Sequence, residues 1–308
     1  MRFCVQSLES VSSTNDVIKQ AIEAGEPEGL AVRALRQTAG YGRQGRAWES
    51  PIGGLYQSFL LRPDVPFSQL PTLSLLVGLA VRRAVASLVP TLADRAQVKW
   101  PNDLVVAWEV PAMSAVVEDD AAVGGGATAV AAEDACEASI APAAQVGEAD
   151  AAASAAGTAS APRPFLKLGG ISIEVHAKAL CVGVGINVAR PDGQLHDAPA
   201  GKNIPVYLDE LGFCEGPVEQ RIAAVSEALC DQLAQLYPRW CAEGFAPFQA
   251  DFDQHAALTG RFVRMEDLSG NALAAGTVVR TAADGRLVLR AADGSEIFAN
   301  SGEAHIRS

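Results

Sequence analysis

The chain has 308 residues, a formal net charge of −12, six cysteines and four histidines. This length allows a catalytic domain with a buried core and a smaller appendage. The cysteines and histidines are scattered without C-x-x-C or other metal-ligand spacing, which argues against a zinc site or a disulfide scaffold. We find no signal-peptide pattern and no apolar run long enough to span a bilayer, so we expect a soluble cytoplasmic protein without a membrane partner.

Most of the acidity lies in one segment. Residues 107–164 carry nine acidic side chains and one basic one, a net charge of −8, which leaves −4 for the rest of the chain. The segment is rich in Ala, Gly, Asp and Glu and almost lacks aromatic residues, so it cannot bury enough apolar surface to offset its ordering entropy. We predict a disordered insertion in a hairpin at about 107–164.

The N-terminal third predicts alternating strands and helices. A strand ends near Ser12, and Ser13 or Thr14 is suited to cap the helix that follows. Capping alone would explain these polar residues. Residues 30–35 and 55–61 have the pattern of buried strands, and residues 70–89 have apolar side chains at helical spacing, which predicts a helix packed under the sheet.

A loop rich in glycine and arginine connects the two buried strands. Its sequence from 37 to 48 is QTAGYGRQGRAW. Glycine frees the backbone to approach a ligand closely, and arginine offers planar donors that suit phosphate or carboxylate. A solvent-exposed hairpin loop would explain the same composition. The segment is neither a Walker A loop nor a Rossmann fingerprint, because Pro51, Gly53 and Gly54 prevent the helix that should follow.

Residues 98–106, VKWPNDLVV, indicate a strand that contains Pro101. Because proline removes a ladder donor, we expect a bulge that directs Asn102 and Asp103 toward a pocket. A turn would explain the same residues equally well.

The chain after the insertion again predicts strands and then a helix. Residues 165–175 and 180–188 alternate as strands, and Gly183 and Gly185 fall on one face, where they leave room for a flat group or for a closely packed helix. Residues 217–240 are amphipathic at helical spacing. From about 258 the chain has short strands separated by hairpin signals, which predicts a small all-β barrel.

Five motifs together resemble biotin protein ligase, also called biotin-[acetyl-CoA-carboxylase] ligase. They are Ser13-Thr14-Asn15, the loop Gly40-x-Gly42-Arg43-x-Gly45-Arg46-x-Trp48, Lys99-Trp100-Pro101-Asn102-Asp103, Lys167-Leu168-x-Gly170-Ile171 and Gly185-Ile186-Asn187. The resemblance covers nearly the whole chain apart from the insertion. The purely structural explanations given above for the single motifs lose weight, because all five motifs would have to occur together by chance.

The resemblance implies a fold, a reaction and a set of site residues. The fold is α+β, a mixed β-sheet with helices of the class II synthetase-like type, followed by an SH3-like β-barrel. The implied reaction joins biotin to a lysine of a biotin carboxyl carrier protein through biotinyl-5′-AMP, with ATP, biotin and Mg²⁺ as small-molecule participants and no fixed metal site. Lys167 and Arg43 are the implied catalytic residues. Positions that match the biotin or adenylate site are Ser13, Thr14, Asn15, Gln37, Gly40, Tyr41, Gly42, Arg43, Lys99, Trp100, Asn102, Asp103, Lys167, Gly170, Gly185 and Asn187.

The organisation implied is a catalytic domain at 1–257, interrupted by the insertion, and an SH3-like domain at 258–308. Tyr41 stands where many members of the family have arginine, and Gly169 replaces the usual alanine. No helix-turn-helix segment precedes Ser13, so we expect a monofunctional enzyme that does not bind DNA. The sequence does not decide whether the protein forms a homodimer. Lipoate or octanoate ligase of the same superfamily and a non-catalytic biotin-binding regulator are the alternatives.

Overall fold

A computed structural model describes residues 1–107, 165–191, 204–267, 269–300 and 302–306. The predicted disordered insertion at about 107–164 lies almost entirely outside these residues. Within them the chain forms a mixed eight-stranded sheet with helices, and a separate five-stranded antiparallel sheet. The predicted α+β class with a mixed sheet is therefore confirmed.

The larger sheet has the order β1-β2-β3-β7-β6-β5-β4, with the short β8 beside β6. Strands β1 and β2 are parallel, the main path is otherwise antiparallel, and β8 is parallel to β6. The bounds are β1 Cys4–Val11, β2 Leu30–Gln37, β3 Gly54–Leu61, β4 Ala96–Lys99, β5 Asp103–Ala107, β6 Phe165–His176, β7 Ala179–Asn187 and β8 Ile204–Pro205.

Helices cover both faces of this sheet. Helix α1 (Thr14–Glu23) packs its Ile18 and Ile22 against Val32 and Leu60, whereas the next residue along β3, Leu61, belongs to the core on the opposite face. Successive side chains of a strand point to opposite faces, so the central strand is buried on both sides. This explains why all eight residues of β3 are buried, including the polar Gln57 and Ser58.

The opposite face holds α2 (Leu73–Leu88) and α3 (Val218–Glu243), followed by the short α4 (Gln249–Gln254). The segment Phe67–Leu88 has the length and apolar composition of a membrane span, but 67% of its most apolar 18-residue window is buried inside the fold. Its apolar character is that of a core helix. The predicted helices at 70–89 and 217–240 are thus confirmed, each with bounds shifted by a few residues.

The structure corrects one strand prediction. Residues 98–106 do not form one strand with a bulge at Pro101; they form the hairpin β4–β5, in which Lys99 is paired with Asp103. Proline cannot donate to the ladder, and the turn is closed instead by Asn102 N donating to Lys99 O at 3.2 Å. The alternative of a turn is the right one.

The smaller sheet has the order β12-β11-β10-β9-β13. Its strands are β9 Phe262–Glu266, β10 Ala272–Thr281, β11 Leu287–Arg290, β12 Glu296–Ala299 and β13 Glu303–Ile306. It contacts the larger sheet's turn through Trp100, whose Nε1 donates to Gly285 O at 3.0 Å. Gln249 and Asp253 of α4 also bond to the backbone of Thr281.

The two ends of the segment 108–164 are neighbours, because Ala107 and Phe165 are directly paired in the antiparallel ladder of β5 and β6. A two-residue Asn-Gly turn can close such a pair. We expect a variant with Asn-Gly in place of 108–164 to fold with a thermal midpoint within about 4 °C of the parent, the shift that about 1 kcal/mol produces in a domain of this size. Calorimetry of both chains measures this, and a midpoint lower by 10 °C or more would contradict it.

Candidate active site

A cavity of about 790 Å³ opens between the Gly/Arg loop, the start of α1, the β4–β5 turn, strands β6 and β7, and β13. This volume is in the range of small-molecule sites. All of the predicted site residues line it except Gly40 and Asn187. Other residues line it as well, among them Trp48 and Gly183, which the sequence analysis named without assigning them to the site. Tyr56, Ser172, Ala304 and His305 also line it, and no motif pointed to them.

Lys167 reaches the cavity because of a bulge in β6. Leu104 is paired with Gly169 but Val105 with Lys167, so Leu168 is the extra residue. A bulge breaks the alternation of side chains. Leu168 is therefore fully buried in the core, while Lys167 and Gly170, three residues apart, both face the cavity.

The ammonium group of Lys167 is held at a defined point. Its Nζ lies 2.8 Å from Asp103 Oδ1, and the two side chains are 21% and 16% exposed. Nζ also lies 5.3 Å from the centroid of the Trp48 ring, within cation–π distance. Asn187 lies behind this point, where its Nδ2 donates to the backbone oxygens of Lys167 and Val206, both at 3.2 Å. Asn187 thus fixes the strand that carries the lysine.

Polar side chains fill the other end of the cavity at the start of α1. Ser13 is the N-cap, with Oγ accepting from Asn15 N at 3.3 Å, as the sequence predicted. Asn15 is buried; its Oδ1 accepts from Ser58 Oγ at 2.6 Å, and its Nδ2 donates to Ser172 Oγ at 3.4 Å and Glu174 Oε1 at 3.2 Å. Thr14 N and Oγ1 donate to Gln37 Oε1 at 2.8 and 3.1 Å.

The sequence missed Ser58 and Ser172, although each carried a signal. Ser58 is fully buried in an apolar strand, where a polar side chain needs a partner. Ser172 lies two residues after Gly170 on β6, so the two residues share the cavity face of the strand.

The glycines of β7 make room for side chains of the chain itself. A Cβ on Gly185 would lie 3.0–3.1 Å from indole atoms of Trp48, so the flat group that this face accommodates includes that indole. A Cβ on Gly183 would lie 2.5 Å from Asn15 Oδ1 and 2.6 Å from Ser172 Oγ. A larger residue at either position would displace the cavity wall.

The loop between β2 and β3 folds back on itself. Tyr41 pairs with Ala47, and Gly42 N donates to Arg46 O at 2.8 Å. Gly40 lies behind the cavity wall; a Cβ there would be 2.4 Å from Ser50 Oγ, so packing requires glycine. At the tip, Arg43 Nη1 donates to Asn102 Oδ1 at 2.8 Å, which joins the loop to the β4–β5 turn.

Asn102 is itself held on β6, since its Nδ2 donates to Ile171 O at 2.9 Å. The site therefore combines a region with several cationic side chains and an end lined by uncharged polar side chains. Lys167, Arg43 and Lys99 line the first, and hydroxyl and amide groups line the second. Such a cavity can hold a ligand that has a polar uncharged ring at one end and phosphate or carboxylate groups at the other. Among the described residues, no group of three or more His, Cys, Asp or Glu side chains is arranged to hold a metal ion.

Comparison with known proteins gives a family match for part of the chain. Residues 7–120 match the Biotin/lipoate A/B protein ligase family. The bifunctional ligase/repressor BirA of Bacillus subtilis is 38% identical over 97 residues, 31% of this chain and 29% of that protein. The biotin–[acetyl-CoA-carboxylase] ligase of Mycobacterium tuberculosis is 38% identical over 96 residues, 30% of this chain and 36% of that protein.

The aligned part thus spans about a third of the length of the curated relatives. Similarity to solved structures extends over almost the whole chain. The biotin protein ligase of Aquifex aeolicus in complex with biotin and ATP has a TM-score of 0.63 and 22% identity, and 98% of each chain is covered. The chain therefore has the fold of that protein.

Proposed function

We propose that the chain attaches biotin to a lysine of a biotin carboxyl carrier protein, as a biotin–[acetyl-CoA-carboxylase] ligase. In the first step the carboxylate of biotin attacks the α-phosphorus of Mg·ATP, and biotinyl-5′-AMP and pyrophosphate form. In the second step the lysine amine of the carrier attacks the acyl carbon, AMP leaves, an amide forms and a proton is released. The proposal rests on the family match, and Mg²⁺ enters as part of the ATP substrate.

One observation carries the proposal: a fixed ammonium group and a polar, uncharged recess share one cavity. Lys167 Nζ, oriented by Asp103 at 2.8 Å, is suited to bridge the biotin carboxylate and the α-phosphate. A cation there would stabilise the negative charge that develops at phosphorus. No side chain of this protein has to act as a covalent nucleophile, because the two nucleophiles are the biotin carboxylate and the lysine amine of the carrier.

The recess at Asn15, Ser172 and Gly183 suits the cyclic urea of biotin. The urea has one carbonyl and two N–H groups, and the hydroxyl and amide groups around the recess can act as both donors and acceptors. Octanoate and lipoate lack such a group, so they would leave these buried polar atoms without ligand partners. This supports biotin over the fatty-acyl substrates of the same superfamily.

The Gly/Arg loop is proposed to cover the adenylate. Arg43 and Gly42 line the cavity, and Arg43 bonds to Asn102 on the opposite wall. Exclusion of water would protect the mixed anhydride from hydrolysis.

The sheet β9–β13 is proposed to be an SH3-like barrel of an appended domain at 258–308, after a catalytic domain at 1–257. It contributes Ala304 and His305 to the cavity wall. We further propose that the enzyme is cytoplasmic. Sedimentation analysis would measure whether it forms a homodimer.

Exchange of labelled pyrophosphate into ATP tests this function. We expect exchange that depends on biotin and is at least 100-fold slower with lipoate or octanoate, the size of discrimination that buried polar groups give when a partner is lacking. Exchange with octanoate or lipoate in place of biotin would establish the acyl alternative. Tight biotin binding without any exchange would identify a binding regulator.

A further inference from the structure

Tyr41 connects the base of the loop to charged side chains outside the cavity. Its hydroxyl accepts a hydrogen bond from Lys19 Nζ at 2.8 Å and donates to Asp16 Oδ1 at 3.0 Å. Lys19 lies on α1 and its Nζ is 2.5 Å from Glu174 Oε2 on β6. Nζ is also 5.2 Å from the Tyr41 ring centroid. We call these four residues, Tyr41, Lys19, Asp16 and Glu174, the loop latch.

Tyr41 and Lys19 keep their protonation states through the neutral pH range. Burial, aided by the negative charges of Glu174 and Asp16, raises the pKa of Tyr41, although the hydrogen bond from Lys19 lowers it in part. For Lys19, partial burial acts to lower the pKa, but its bonds to Glu174 and Tyr41 outweigh burial and raise the pKa above its usual value. The phenol therefore stays neutral and the ammonium stays charged, so that a charge-assisted hydrogen bond persists.

The latch also contacts the polar end of the cavity. Glu174 Oε1 accepts from Asn15 Nδ2 at 3.2 Å while its other oxygen binds Lys19. Side-chain contacts thus hold the loop at Tyr41 near its base and at Arg43 at its tip, and residues 44–47 between Arg43 and Trp48 are exposed. Loss of the Tyr41 contact would loosen the segment that carries Arg43.

We propose that Lys19 and Tyr41 are positioning residues for the loop: through the Lys19–Tyr41 hydrogen bond they hold it over the cavity and slow escape of the reaction intermediate. Lys19 faces Glu174 and Tyr41 and acts through them. The part of this inference that concerns the intermediate rests on the proposed function. The part that concerns loop position does not.

Limited proteolysis of the chain without ligands tests the loop position. Trypsin can cut after Arg43 and Arg46, and mass spectrometry measures the rate at each bond. We expect Tyr41→Phe and Lys19→Met each to raise these rates roughly tenfold, the effect of losing one hydrogen bond to a charged group. Tyr41→Phe keeps the ring, and the double variant should be accelerated by less than the product of the two single effects, because both changes remove the Lys19–Tyr41 hydrogen bond.

A neighbouring ion pair provides the matched control. Glu23 Oε1 lies 2.8 Å from His176 Nε2, which also joins α1 to β6 but does not touch the loop. Glu23→Gln should leave cleavage after Arg43 and Arg46 unchanged. Equal rates in the parent, Tyr41→Phe and Lys19→Met would overturn the proposal, as would the same acceleration in Glu23→Gln.

A second measurement follows the intermediate made from biotin and ATP. We expect biotinyl-AMP to dissociate roughly tenfold faster from Tyr41→Phe and Lys19→Met than from the parent and Glu23→Gln. Lys19→Arg, which keeps a cation, should restore slow release. Faster cleavage with unchanged release would refute the effect on the intermediate. If the parent makes no adenylate, the proposed function fails, while the cleavage rates still decide whether the latch holds the loop.

Discussion

Replacement of Lys167 with methionine is expected to lower the rate of biotin-dependent pyrophosphate exchange by about 100- to 1000-fold, the usual loss when one group that stabilises the transition state is removed. Methionine keeps an unbranched side chain of similar length but has no charge. The substitution also leaves Asp103 without its partner at 2.8 Å, so negative charge would increase at the point where we propose that phosphate binds. Single-turnover formation of biotinyl-AMP measures the effect directly.

Lys178 offers the matched control for this experiment. It is an exposed lysine in the turn between β6 and β7, and Lys178→Met should change exchange less than twofold. Thermal unfolding of both variants shows whether the fold is kept. A Lys167→Met variant that is folded and within about threefold of the parent rate would remove Lys167 from its proposed role.

Replacement of Arg43 with glycine is expected to release biotinyl-AMP about tenfold or more faster and to cause biotinylation of unrelated proteins. Arg43 Nη1 bonds to Asn102 Oδ1 at 2.8 Å, and this contact joins the loop tip to the opposite cavity wall. Loss of a hydrogen bond to a charged group has an effect of this size. Arg43→Met, which removes the charge without adding backbone freedom, separates the two consequences of the glycine substitution.

The measurement for Arg43 is labelling of added albumin from biotin and ATP, together with the rate of biotinyl-AMP dissociation. Arg290→Met is a suitable control, because Arg290 is an exposed arginine of β11. Retention of the intermediate at the parent level in both Arg43 variants would contradict a covering role for the loop tip.

The order of strands and helices could be predicted from the sequence because periodicity is local. The helix at 218–243, the buried strand at 54–61 and the N-cap at Ser13 were all recognisable from spacing and residue type. The prediction of a bulge at Pro101 was wrong, because proline is compatible with a turn and with a bulge, and the local sequence does not distinguish them. The bulge lies instead at Leu168, where nothing in the local sequence distinguishes the extra residue.

Most of the cavity residues could be assigned through the family resemblance, but their partners could not. Contacts such as Ser58 with Asn15 and Lys19 with Tyr41 join positions far apart in the chain, and single-sequence patterns carry no distance information. His305 reaches the cavity because β13 pairs with β9, a topology that hairpin signals alone do not specify.

The cavity draws its walls from Ser13 near one end of the described chain to His305 near the other. Contacts at such sequence separation form late in folding, because the entropy of closing long loops must be overcome first. A partly folded chain therefore has no complete site, even when its hairpins are formed. Ligand added during refolding would bind only after the slow step, and the appearance of binding would report the arrival of the native topology.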